Sequence, residues 1–179
     1  MRAQQPEGVP HMKRLLSALA VAAFLVGALV GPAAAAGPRV VATIHGGGTA
    51  TMAEVFGIPN PGSSVFGFNA KLMSDGSATE GPATGHIMCL DQHGDAPGFP
   101  GNIFGEVVSW SGDLDGGEIT LNVVGKFVLL PGGHPTPATF TVKIQQFGGA
   151  GVGHWTLESD GVVFCIETLD SGQIVLRRL

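Results

Sequence analysis

The chain has 179 residues, with nine Lys and Arg against fourteen Asp and Glu and a formal net charge of −5. So sparse and acidic a charge set argues against nucleic acid as a partner, because neutralising phosphates takes clustered Lys and Arg, and equally against an anionic membrane surface. The 29 glycines follow no three-residue period, which excludes collagen; interleaved with apolar alternation, they predict many short strands joined by tight turns.

Met12-Lys13-Arg14 is a short positive region, residues 15–30 are almost wholly apolar, and Gly31-Pro32 leads into Ala33-Ala34-Ala35-Ala36. That order is the pattern of a secretory signal peptide, with cleavage expected after Ala36 and Gly37 as the first mature residue. The apolar core is about 16 residues, shorter than the roughly 20 that span a bilayer. Residues 1–11 read as an upstream extension, with Met12 as an alternative start. With no cysteine near the cleavage site, a lipoprotein anchor is not expected. The expected organisation is therefore a leader over residues 1–36 and a single secreted β-domain over residues 37–179, with no membrane span in the mature chain. Tyrosine is absent and tryptophan occurs twice, which weakens the case for an aromatic-lined sugar or peptide groove.

In chain order, residues 39–45 predict a first strand, ended by Gly46-Gly47-Gly48, and residues 49–56 a second. Two prolines and two glycines make residues 57–63 a loop. Residues 64–73 alternate, with Phe66, Phe68, Ala70 and Leu72 on one face, as a half-buried strand requires. Residues 85–92 form the next strand and 93–101 a loop. Residues 102–111 follow, with Gly105 before Glu106 as the expected bulge. Residues 118–130 show the clearest alternation, placing Ile119, Leu121, Val123, Phe127 and Leu129 together. Residues 138–147 place Phe140, Val142 and Ile144 inward, and Trp155 shares a face with Leu157. Ser159-Asp160-Gly161 and Asp170-Ser171-Gly172 are hairpin signals around residues 162–169, and residues 173–179 form the last strand. About nine or ten short strands without a mature helix predict an all-β fold, an antiparallel barrel or sandwich. Barrel closure is favoured because it removes exposed edges.

Cys89 and Cys165 are the only cysteines. Each sits in the same local pattern, Ile87-Met88-Cys89-Leu90-Asp91 and Val163-Phe164-Cys165-Ile166-Glu167. In a secreted chain the simplest reading is a disulfide between them, and a redox pair is disfavoured by the lack of C-x-x-C. Alternation places Met88, Leu90, Phe164 and Ile166 in the core and both cysteines on the less apolar side. A bond would then make the two segments neighbouring strands. Asp91, His93 and Asp95 alternate and are the candidate metal ligands, being residue types that suit Zn²⁺; an exposed strand end explains the same pattern. Asp113, Asp115, Gly117 and Glu118 resemble part of a calcium loop, but lack its length and third acid and fit a turn better. Glu106, Glu158 and Glu167 read as solvated strand carboxylates. His45, His86, His134 and His154 are scattered and need no special role. The motifs of serine hydrolases, zinc proteases and phosphate loops are missing.

The order Gly46-Gly47-Gly48, then Phe66-Gly-Phe-Asn-Ala-Lys71, then Gly172-Gln-Ile-Val-Leu176 resembles the post-COAP type of domain of secreted bacterial proteins. The resemblance implies a compact accessory β-domain with no assigned activity, no cofactor and no functional residues to carry over. The leading expectation is thus a secreted, non-catalytic β-domain that meets an extracellular ligand or partner, or serves the envelope. The alternative is a small secreted enzyme, metal-assisted through Asp91, His93 and Asp95.

Overall fold

The computed structural model describes residues 37–55, 58–59, 62–91 and 101–179. Eleven strands run through them, without a helix: β1 (Arg39–Val55), β2 (Ile58–Pro59), β3 (Ser63–Ser74), β4 (Glu80–Asp91), β5 (Gly101–Gly112), β6 (Ile119–Leu129), β7 (Thr136–Gln146), β8 (Gly148–Gly149), β9 (His154–Ser159), β10 (Val162–Leu169) and β11 (Gln173–Arg178). Alternation makes these strands and decides their faces. In β3 every second side chain from Ser64 to Ser74 is buried, and Val65, Asn69 and Lys71 face out.

Eight strands, β1, β3, β4, β5, β6, β7, β9 and β10, pair antiparallel in sequence order, and β10 returns to β1. The sheet is therefore a closed up-and-down barrel, the edge-free solution expected from the sequence. Eight strands leave an interior that side chains can just fill. Trp110, Trp155, Ile44, Leu72, Leu121, Ile144 and Leu157 fill it, each no more than 2 % exposed. Each contributes roughly 1.5–3 kcal/mol or more by leaving water.

Several local expectations change. The glycine run does not end the first strand; β1 continues through it. The ring of Phe68 occupies the space where a Gly46 side chain would stand, 2.6 Å from its Cβ position, and the Ser171 carbonyl lies 2.1 Å from that of Gly48. The glycines thus admit close neighbours where β1 exchanges one partner for another. Up to Gly47 it pairs with β11, and from Ala50 with β10. The link between those two partners is Asp170-Ser171-Gly172, which is a junction along one side of β1 and not a hairpin. The amides of Asp170 and Ser171 both donate to the Thr49 carbonyl, and Thr51 Oγ1 donates to Asp170 Oδ2 at 2.8 Å. Asp160 and Gly161 do make the expected hairpin, both with positive φ (51° and 76°), as a type I′ turn needs. The bulge in β5 falls between Val107 and Ser109 and not at Gly105. It resets the alternation, so that Val107 and Trp110 both point inward. Phe140 is buried as expected, while Phe127 is half-buried and Leu129, at the strand end, is exposed.

Strands β4 and β10 are not neighbours. β4 pairs with β3 and β5, and β10 with β9 and β1. The expected strand adjacency is overturned, and so is the expected face, since Cys89 and Cys165 both point into the barrel. Register with β3 sets the face of β4. Phe66 stands opposite Cys89 and Phe68 opposite Ile87, so the strongly patterned phenylalanines carry Ile87, Cys89 and Asp91 inward with them.

Candidate functional site

Among the described residues, two places stand out, one inside the barrel and one outside. Inside, the two Cys-x-acid patterns meet. Strand period two puts each cysteine and its acid on one face, and closure brings those faces together. Cys89, Cys165 and Glu167 offer ligand atoms that all lie within 4.8 Å of one another. Cys89 Sγ donates to Glu167 Oε1 at 3.6 Å, and Ser64 Oγ donates to Glu167 Oε2 at 2.7 Å. Asp91, 6 % exposed, belongs to the same region and borders a cavity of about 20 Å³ with both cysteines, Met52, Phe127 and Phe164.

Cys89 and Cys165 stand as free thiols in this structure, where the sequence leads one to expect a disulfide. The sulfurs come from separate walls of the barrel, with a carboxyl group beside them. A bulge at Phe164 shapes the β10 side. The register between β10 and β9 shifts between Val163 and Cys165, and the Phe164 ring reaches the rings of Phe127 and Phe140 edge-on, at 5.9 and 6.2 Å.

Burial pushes the pKa of Glu167 up to about 7, against the hydrogen bonds from Ser64 and the two thiols that favour its charged form. For Cys165 the hydrogen bond with Cys89, then burial and the Glu167 charge, hold the thiol well above its usual range. For Cys89 the hydrogen bond with Cys165 pulls the other way, but burial and Glu167 raise it overall. Burial and the neighbouring carboxyl thus favour the protonated form of both thiols.

Of the expected metal ligands, only Asp91 is among the described residues, and it borders the same cavity as both cysteines. Asp91 points inward, and His93 and Asp95 lie outside the described residues. Asp113 accepts from the Asp115 amide at 2.8 Å, as in an Asx turn, and Asp115 pairs with Arg178. That segment is the expected turn. Among the described residues, Cys89, Cys165 and Glu167 are the one group of three His, Cys, Asp or Glu side chains whose ligand atoms converge. Sequence reasoning missed Glu167 and Ser64. The repeated Cys-x-acid spacing was the available signal, because it fixes a thiol and a carboxyl on one face of each strand.

Outside, a groove of about 870 Å³ crosses β3 to β6 and reaches Pro135 and Pro137. Gly46, Phe68, Ile87, Gly105 and Gly125 stand in register across five strands on the inner side of this wall. Three glycines in that row carry no inward side chains, and the Phe68 ring and a Val123 methyl stand where side chains of Gly46 and Gly105 would be. Met88, Phe104 and Val124 give the groove an apolar floor and are 36–52 % exposed. His86 Nδ1 stands 3.0 Å from Glu106 Oε2, and Lys126 Nζ lies 5.9 Å from the centre of the Phe104 ring. His45, His134 and His154 are not part of the groove lining; His154 bonds Thr168 at 3.1 Å. Glu158 pairs with Lys143 at 2.7 Å. Comparisons with protein-family models, curated proteins and solved structures return no match to this chain.

Proposed function

We propose that this is an exported, non-catalytic binding barrel that holds a small amphipathic ligand in the groove over β3 to β6. The observation that carries the reading is the groove itself. It sets an apolar floor of Met88, Phe104 and Val124 beside the polar groups of His86, Glu106 and Lys126, on a barrel whose interior is filled with side chains. Ligand sites share that balance of apolar lining and a few polar groups. Export is supported by the leader pattern of residues 12–36. The barrel's polarity fits an aqueous setting, with apolar residues inside and Asn69, Lys71, Asn122 and Lys126 outside, the reverse of a lipid-facing barrel. The accessory role implied by the post-COAP resemblance fits the same reading.

Two experiments test it. Protein recovered from the culture medium should begin at or near Gly37 on N-terminal sequencing; an intact 12–36 segment contradicts export. Anilinonaphthalene sulfonate, with an apolar body and one anionic group, should bind at one saturable site per chain. Phe104→Asp should weaken it at least about tenfold, or ~1.4 kcal/mol. Unsaturable binding, or binding unchanged in that variant, removes the groove from consideration.

A further inference from the structure

The interior cluster is independent of the groove and poses a different chemical problem. An eight-stranded barrel packed with aliphatic and aromatic side chains also encloses Glu167, fully buried, and Asp91, 6 % exposed. A carboxylate taken out of water costs several kcal/mol unless it is compensated. The groups acting on Glu167 are burial, a serine hydroxyl, two thiols and the Asp91 charge. Among the described residues, no lysine, arginine or histidine is one of them. A disulfide would account for the two cysteines and leave Glu167 unexplained. A cation accounts for the two thiols and Glu167 together.

We propose that Cys89, Cys165 and Glu167 bind a thiophilic divalent cation inside the barrel, with Zn²⁺ as the ion the donor set fits. The distances suit it. A tetrahedral ion with Zn–S near 2.3 Å and Zn–O near 2.0–2.2 Å holds a sulfur and an oxygen ligand about 3.5–3.6 Å apart. Cys89 Sγ and Glu167 Oε1 are 3.6 Å apart, and all three donors fall within 4.8 Å of one another. Ser64 takes the other carboxylate oxygen, which fixes Oε1 toward the thiols, the kind of outer support that orients a metal ligand. The adjoining cavity of about 20 Å³ has room for one water, the usual occupant of a fourth coordination position. On binding, each thiol gives its proton to solvent and its sulfur lone pair to the ion. Glu167 likewise gives up the proton it holds when protonated; the two thiol protons and that one leave to solvent, nothing is oxidised, and no co-reactant is consumed.

Full-length protein purified in reductant, stripped with chelator and titrated with Co²⁺ provides the test. One equivalent should produce the visible bands of a tetrahedral site together with thiolate-to-cobalt charge transfer, and Zn²⁺ should bleach both. Ser64→Ala should lower the affinity about 10–100-fold, and Glu167→Gln by at least as much. Asp115→Asn, far from the cluster in its surface turn, should change nothing. If the Ser64 or Glu167 variant fails to fold, the wild-type chain still decides the matter. Zn²⁺ should protect both thiols from a thiol reagent and raise the melting temperature, and Mg²⁺ should do neither. Absence of charge-transfer absorption, or thiols that react equally fast with and without Zn²⁺, overturns the site. So does protein prepared with Zn²⁺ that shows no free thiol after unfolding without reductant, a result that assigns the sulfurs to a covalent bond instead.

Discussion

Glu106 and Glu167 occupy equivalent positions in a sequence sense, each a lone acid within an apolar strand, and the barrel treats them oppositely. Glu106 lies on the outer face of β5, 67 % exposed in its side chain, with His86 at 3.0 Å. Glu167 lies on the inner face of β10, fully buried, among a hydroxyl and two thiols. The outer acid keeps its water and gains a neighbour of little energetic weight. The inner acid loses its water and takes its properties from what the barrel sets around it. Identity of the side chain therefore says little here. The wall's face decides whether an acid is surface decoration or part of a site.

The largest expected difference between the faces is in packing. Phe140→Ala, on the inner face at 2 % exposure, should cost about 3–5 kcal/mol in denaturant unfolding, and half-buried Phe127→Ala should cost less. Phe104→Ala, in the outer groove, should cost no more than about 1 kcal/mol. Equal losses at Phe140 and Phe104 would erase the distinction between the two faces.

The next effect is electrostatic and has a defined sign. Glu167 is raised from 4.5 to about 7 by burial, so the folded state holds its proton more tightly than the unfolded chain does. Its contribution to stability is complete below pH 4.5 and is lost as pH rises through about 7. In metal-free protein the loss is on the order of 3 kcal/mol. Stability measured across that window should fall for the wild-type chain and fall less for Glu167→Gln. A wild-type profile that rises over the same window would contradict the assignment.

The smallest effect belongs to the outer pair. Glu106→Gln should change stability by less than about 1 kcal/mol, because both partners are two-thirds exposed and screened by solvent. A larger loss would mean that the outer face carries structural weight that its exposure does not suggest.

The strands were legible where one face was plainly apolar. Phe66, Phe68 and Leu72, or Phe140, Val142 and Ile144, fix both strand and face by alternation alone. Closure followed from the number of short strands and the need to hide edges. What the sequence hid was concentrated around the inner site. In β4 and β10 both faces are apolar, so comparing Met88 and Leu90 with Ile87 and Cys89 misassigns the core. Pairing with β3 decides the matter, and register is a property of two strands, not one. In β10 the bulge at Phe164 also shifts the count, letting Phe164 and Cys165 both reach inside. The groove was less visible still. It lies over a wall whose inner row is rich in glycine, which leaves no mark on the alternation of the outer residues that line it.

The claim beneath these comparisons is that Glu167 is enclosed with the two thiols and is cut off from solvent. Carbon-13 NMR of the glutamate side-chain carboxyls, in reduced and metal-free protein, tests it at the atom concerned, with Glu167→Gln identifying the resonance. The barrel predicts that this one carboxyl titrates near pH 7. A Glu167 resonance that inflects in the ordinary carboxylate range near pH 4.5 would place the side chain in water, and the interior site would not exist.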